Sequence, residues 1–474
     1  MKKGIKIVTI GGGSSYTPEL IEGFIKRSDV LPIDEIWLVD IEAGKEKQEI
    51  VGGLAKRMIK NAGLDWKVHL TLDREEALKD ADFVSTQFRV GLLDARILDE
   101  RIPLSHGVLG QETNGAGGIF KALRTIPVIL EIVEEMKKLC PNAWLVNFTN
   151  PSGMVTEAVI RYGKWNRVVG LCNLPIVCRR IASVGLGVDP NDIIMKFGGL
   201  NHFHWHRVWD LNGVEQTQHI LDSVYAVEDG MDDAMRGKRS NEKPKSNAIN
   251  KEGVKNIPSI SFLKEQVMEL GIIPCMYHRY YYVTDDMLQE ELREFKNGNT
   301  RAENVKRTEQ KLFELYRNPE LNTKPKELEH RGGAYYSDAA CELISSIYNN
   351  SGTEMVVSTL NNGAISDLPN DCVVEVSSII RKTGPQPITW GSFTSSSRGL
   401  LQVMKDMELT TIEAAVTGNY SKVLQAFVLN PLVPSGKIAQ ELLDEMLVAN
   451  KEFLPLFSKR IKEIEEMKTS LSIN

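Results

Sequence analysis

Apolar residues stand in short unbroken runs through the first part of the chain and in helix-spaced stripes further on. Lys6-Ile7-Val8-Thr9-Ile10 reads as a buried strand that ends in three glycines. Pro18 to Arg27 then carries helical spacing, with proline near the start, where its missing N–H costs nothing. A second run, Glu35 to Val39, ends on Asp40, and an amphipathic helix is expected from about Glu46 to Asn61. Further strands are expected over Lys67 to Leu72, Phe83 to Phe88, Ala143 to Asn147 and Val168 to Leu171, with a long helix over Ile119 to Lys138. Strands alternating with helices predict an α/β fold built on a doubly wound parallel sheet.

Beyond about residue 196 the pattern changes. Phe203 to Leu211 alternates like an antiparallel strand, and helices are expected to dominate from there to the C-terminus. Two domains follow: a nucleotide-binding domain over 1–196 and an α+β domain over 197–474 that carries substrate, metal and subunit contacts. Glu228 to Lys255 is polar throughout and is expected as a mobile loop or lid. Lys437 to Lys468 regains helical spacing, with Leu442, Leu443, Met446 and Leu447 on one side, for packing on the body or on another subunit.

Composition narrows the class. The 474 residues are 42% hydrophobic and 25% charged, enough to bury a large core. A net charge of -6 leaves no basic footprint for nucleic acid or an anionic membrane. No run approaches the roughly 18 apolar residues of a membrane helix, and Ile5 to Ile10 is too short for a signal peptide. The chain is therefore expected in the cytoplasm, where its six scattered cysteines would stay reduced.

Three places carry candidate chemistry. The turn Gly11-Gly12-Gly13-Ser14-Ser15 lies between a strand and a helix, where backbone N–H groups can approach a pyrophosphate. Tyr16 stands where the usual third fingerprint glycine would be, so a plain structural turn is the competing reading. Asp40, at the end of the second strand, is placed to bind ribose hydroxyls, and an acid there favours NAD over NADP. Cys172 and His202 form the second place, a thiolate and an imidazole able to converge on one metal from two strand ends. A rival is a site of His202, His204 and His206, which would share one face of an extended strand. The third comprises Gln111 to Gly115, Asn147 to Gly153 and Tyr277 to Tyr281, segments suited to a polar ligand, with Arg89, Arg96 and Arg301 as candidate anion ligands.

The segments IGGGSSYTPE, GQETNGAGG, NFTNPSG, GLCNLP, GLNH, YHRYY and RGGAYYSDAA, in this order over most of the chain, resemble glycoside hydrolase family 4. Within it the likeness is greatest to enzymes that act on 6-phospho-β-glucosides. The resemblance implies a lactate or malate dehydrogenase-like fold and a hydrolase dependent on NAD and a divalent metal, usually manganese. This is the NAD-dependent exception to two-carboxylate glycosidases. It implies NAD at Gly11, Gly12, Gly13, Ser14, Ser15 and Asp40, metal on Cys172 and His202, and Tyr277 as the base that removes the C2 proton. It also implies a 6-phosphate pocket of Arg96, Asn150 and Arg301, with Glu112 near the metal in no assigned step.

Asn173 follows the metal cysteine where members acting on α-linked phosphosugars carry an aspartate donor, which favours the β-linked substrate. The expected substrate is a phosphorylated disaccharide such as cellobiose 6'-phosphate, or an aryl 6-phospho-β-glucoside. A homodimer or homotetramer is expected. Three other readings remain open: another family-4 specificity, for an α-linked or an unphosphorylated sugar; a hydroxy-acid dehydrogenase on the same fold, which would produce NADH; and a nucleotide-sensing protein without turnover. Manganese prefers oxygen donors, which sits uneasily with Cys172, and the resemblance gives His204 and His206 no role.

Overall fold

The computed structural model describes residues 4–222, 257, 260–331, 335–434 and 436–473. Its first half alternates strand and helix: β1 (Ile5–Ile10), α1 (Thr17–Ile25), β2 (Ile33–Val39), α2 (Lys45–Asn61), β3 (Lys67–Thr71), α3 (Arg74–Leu78) and β4 (Phe83–Thr86). It continues with α4 (Leu92–Ser105), α5 (Ala116–Leu139), β5 (Trp144–Asn147), α6 (Ser152–Arg161), β6 (Val168–Gly170) and α7 (Leu174–Leu186). The six strands lie parallel in the order β3-β2-β1-β4-β5-β6. That order reverses between β1 and β4, so both strand ends open into one crevice, the ligand-binding place of a doubly wound sheet.

Alternation along β1 explains why it lies at the centre. Ile5 and Ile7 pack with Leu20 and Phe24 of α1 and Leu54 of α2 on one face. Val8 and Ile10 pack with Ile129, Ile132 and Val133 of α5 on the other. A strand buried on both faces has no polar side to show, which is why it reads as an unbroken apolar run.

The second half opens with a hairpin of β7 (Ile193–Leu200) and β8 (Phe203–Asp210), to which the short β9 (Ile273–Pro274) adds. Residue 196, the expected division, falls within β7. Helices then prevail, but three unexpected strands appear: β10 (Thr353–Leu360), β11 (Val373–Arg381) and β12 (Gly384–Pro387). They extend the parallel sheet to nine strands, β10 joining β6 antiparallel through Ser358 and Gly170. Their periodicity is masked because β11 buries Glu375, Ser377 and Ser378 along with its valines. Gly170 permits the junction, since a Cβ there would lie 2.8 Å from that of Ser358.

The C-terminal stripe forms two helices, Lys437–Ala449 and Ser458–Ile473. Leu442, Leu443, Met446 and Leu447 are fully buried in the body. All six cysteines are free. The segment 228–255, expected as a loop or lid, lies outside the described residues. Among the described residues no helix is long and apolar enough to cross a membrane.

Candidate active site

A cleft of about 1300 Å³ runs from the end of β1 and β2 to the β7–β8 turn. That is larger than the roughly 300–1,000 Å³ typical of a single small ligand. At its first end Gly11 has φ +86°, and a Cβ on it would lie 2.9 Å from the backbone of Gln87, so glycine is required on both counts. Gly11 and Gly12 donate their N–H groups to the Val39 carbonyl, holding the turn against β2. Gly13 donates to Asp40 Oδ2 at 2.7 Å, and Ile41 donates to Oδ1 at 2.9 Å. Burial nonetheless pushes the Asp40 carboxyl above its ordinary value.

Gly11, Gly13, Ser14 and Asp40 line the cleft. Gly12 backs onto Leu38 instead. Ser15 is buried, with its hydroxyl 3.2 Å from Glu309 and its carbonyl accepting from the Tyr316 hydroxyl. The α1 N-terminus follows directly, with Pro18 in its first turn. The geometry suits a pyrophosphate: small residues at a helix N-terminus on the cleft wall.

At the far end, Cys172 comes from the loop after β6 and His202 from the turn between β7 and β8. Cys172 Sγ lies 3.2 Å from His202 Nε2, although thirty residues separate them. His202 has φ +59°, a left-handed conformation uncommon outside glycine, and such strain persists where surroundings enforce it. Those surroundings include Asn114, whose side chain donates to the His202 carbonyl, and the Tyr277 ring, stacked on the imidazole at 4.2 Å. Because His202 sits in the turn, it leaves the alternation of β8, and His204 and His206 face a different place. The imagined His202, His204 and His206 site is not formed.

Burial drives the His202 pKa down to about 4, so the imidazole is neutral and able to ligate. Burial raises the Cys172 thiol, an effect opposed by the Leu174 N–H at the start of α7. A thiol and a neutral imidazole this close on one cleft wall could hold a metal, and two protein donors beside a ligand cleft suit a catalytic rather than a structural ion. Tyr277 is also buried, and its phenol is pushed well above the ordinary tyrosine range, with Arg96 opposing. A cation beside it is what would favour the phenolate.

Glu112 is held by three cations: Lys121 at 2.8 Å, Arg89 at 3.0 Å and Arg96 at 3.5 Å. Despite its burial, Arg96, Lys121 and Arg89 together hold its carboxyl well below the ordinary range. Lys121 falls to about 7 through burial and the neighbouring Arg89. Sequence reasoning missed Lys121; its signal is a lone charge in the apolar run Ile119-Phe120-Lys121-Ala122-Leu123.

Asn150 and Asn173 line the same cleft, Asn173 beside Cys172. Arg301 does not. It lines a smaller adjoining pocket with Glu100, Tyr280, Glu291 and Glu294, and Arg96 and Tyr277 reach into both. Arg301 also donates to the Arg331 carbonyl at 2.9 Å.

Known proteins resemble the chain along its whole length. The family described as Family 4 glycosyl hydrolase matches residues 6–186, and the Family 4 glycosyl hydrolase C-terminal domain matches residues 197–433. A probable 6-phospho-beta-glucosidase of Bacillus subtilis (strain 168) is 54% identical over 98% of this chain and all of the relative. The 6-phospho-beta-glucosidase of Escherichia coli (strain K12) is 47% identical over the same shares. A solved structure of the 6-phospho-beta glucosidase from Thermotoga maritima with manganese, NAD+ and glucose-6-phosphate superposes with a TM-score of 0.81. It is 33% identical and covers 95% of this chain and 99% of its own.

Proposed function

The chain belongs to family 4 of the glycosyl hydrolases, and from that membership and the two-ended cleft we infer that it is a hydrolase of 6-phospho-β-glucosides. Glucose 6-phosphate and the aglycone are the products, with cellobiose 6'-phosphate a representative substrate. The observation that carries this reading is continuity. One cleft holds the glycine turn, the Cys172–His202 pair and Tyr277, so a nucleotide and a sugar can meet in it. NAD and a divalent ion, of which manganese fits the relatives, supply when bound reversible hydride transfer at C3 and polarisation of the sugar oxygens O2 and O3.

The side chains do the rest. Gly11, Gly13 and Ser14 leave room beside the α1 N-terminus for a pyrophosphate, with Gly12 and Ser15 shaping the turn from behind, and Asp40 accepts from ribose hydroxyls. Cys172 and His202 hold the metal. Oxidation at C3 makes the C2 proton acidic, and Tyr277 takes that proton at its phenol oxygen. The aglycone leaves C1 as the C1–C2 double bond forms, water then adds its hydroxyl at C1 while Tyr277 returns a proton to C2, and C3 is reduced again, so no net redox change occurs. Glu112 fixes Lys121, Arg89 and Arg96 around the sugar end.

Arg96 and Asn150 receive the 6-phosphate from the cleft side, and Arg301 reaches it from the adjoining pocket that Arg96 also lines. Burial and the nearby Arg96 depress the Arg301 pKa, a repulsion that a dianion would relieve. Asn173 cannot donate a titrating proton, which suits a β-linked substrate. Because a sugar phosphate does not cross a bilayer unaided, the cytoplasm is the proposed compartment. A homodimer or homotetramer is proposed on the general preference for closed symmetry.

Hydrolysis of an aryl 6-phospho-β-glucoside is expected to exceed that of the unphosphorylated and α-linked counterparts, and to need both NAD and manganese. Equal turnover after complete removal of both would overturn the mechanism. In heavy water the released glucose 6-phosphate should carry deuterium at C2; a product without it removes Tyr277 from its step.

A further inference from the structure

The hairpin that places His202 in the cleft sends two more histidines the other way. His204 and His206 on β8 meet Cys178 of α7, and one donor atom from each lies within 4.8 Å of the other two, all three residues being buried. Among the described residues this is the one group of three such side chains so arranged. Cys178 Sγ stands 3.9 Å from His204 Nε2. His204 Nδ1 is paired with Glu375 Oε1 at 2.8 Å, which leaves Nε2 aimed at the shared point. A carboxylate on the far nitrogen of an imidazole is how metal-binding histidines are oriented. Nδ1 of His206 is buried with no hydrogen-bond partner among the described residues. An unsatisfied buried ring nitrogen is costly unless something binds it. The Phe197 ring stacks on His206 at 5.0 Å and keeps the place dry.

We propose that Cys178, His204 and His206 hold a second divalent ion, of the zinc class, separate from the metal at Cys172 and His202. One thiolate and two imidazoles form a borderline-soft donor set that suits zinc, while manganese favours oxygen. Three protein donors leave the fourth place of the tetrahedron to a small ligand such as water. The two sites draw on the same pair of segments: Cys172 and Cys178 lie just before and within α7, and His202, His204 and His206 on one hairpin. Glu375 joins them, since it also accepts a hydrogen bond from Asn201, the neighbour of His202, at 2.9 Å. Because none of the three residues lines the cleft, the second ion would fasten α7 to β8 behind the catalytic pair.

The test is metal content and coordination of the full chain. After exhaustive dialysis against a chelator that strips manganese, mass spectrometry of the metals is expected to find one zinc per chain. X-ray absorption at the zinc edge should show one sulfur and two imidazole nitrogens. Cys178→Ser and His206→Gln should each abolish the retained zinc, while Cys172→Ser keeps it, with folding followed by circular dichroism. No retained zinc in the wild type overturns the proposal, as does zinc that Cys172→Ser removes and Cys178→Ser does not. Should a variant fail to fold, the absorption spectrum of the wild type decides alone, and a shell without sulfur refutes the site.

Discussion

The two ends of the cleft are built on different principles. The glycine end is a turn of five residues held by backbone hydrogen bonds to the Val39 carbonyl and by one carboxylate, Asp40, at the tip of the next strand. At the sugar end side-chain charges hold one another: Glu112 among Lys121, Arg89 and Arg96, and Arg96 with Glu100. A turn held mostly by backbone hydrogen bonds leans on few side chains, so the first end can change affinity with little effect on the fold. Desolvated charges depend on each other, so the second end couples chemistry to stability.

The largest expected effect is at the sugar end. Cys172→Ser should lower kcat/KM by at least about 10²-fold, since even supporting contacts to a metal cost 10–100-fold when lost. Unfolding midpoints should barely move, and full activity in manganese titrations would remove Cys172 from the metal site. Glu112→Gln leaves three cations around a neutral amide. A stability loss of about 3 kcal/mol is expected in urea unfolding, the scale of breaking a buried ion pair. A change confined to activity would show that these charges are not interdependent.

A pH effect comes next. Burial raises Glu291, beside Arg301 in the adjoining pocket, to about 8, with the Gly110 N–H opposing. Between its unfolded value near 4.5 and about 8 the native chain holds a proton that the unfolded chain has released. Stability from this group is thus fully present below 4.5 and falls as pH rises, by up to about 1.4 kcal/mol per unit, until the folded pKa is passed. Glu291→Gln should remove that slope from stability measured between pH 5 and 8. The smallest effect belongs to the glycine end. Asp40→Ala should weaken NAD binding by about 10-fold, the scale of a hydrogen bond to a charged group, and leave the melting temperature within a few degrees. A large loss of stability there would erase the contrast between the two ends.

Much of the glycine end was legible because its signals are local. Strand, turn, helix and terminal acid lie within about forty residues, and each follows from periodicity or backbone allowance. The β10–β12 extension was not legible, because burying Glu375, Ser377 and Ser378 breaks the apolar pattern that betrays a strand. Lys121 was passed over because nothing near it in sequence reveals Glu112 as its partner in space. For His202, His204 and His206 the assumption of one continuous strand failed at a single residue, the left-handed His202.

What the sequence determined by itself was the parallel sheet and the glycine turn, since these rest on short-range steric and hydrophobic rules, while the proposed roles of Cys172, His202 and Tyr277 came from the likeness to family 4. The tertiary structure alone decided which of them meet. It brought Cys172 to His202 across thirty residues and laid Tyr277 on that imidazole. It also turned His204 and His206 toward Cys178, and placed Arg301 in the adjoining pocket and Arg96 in both. The physical reason is that charge, burial and ligand geometry belong to positions in space, and one left-handed residue in a turn is enough to reassign a side chain from one site to another.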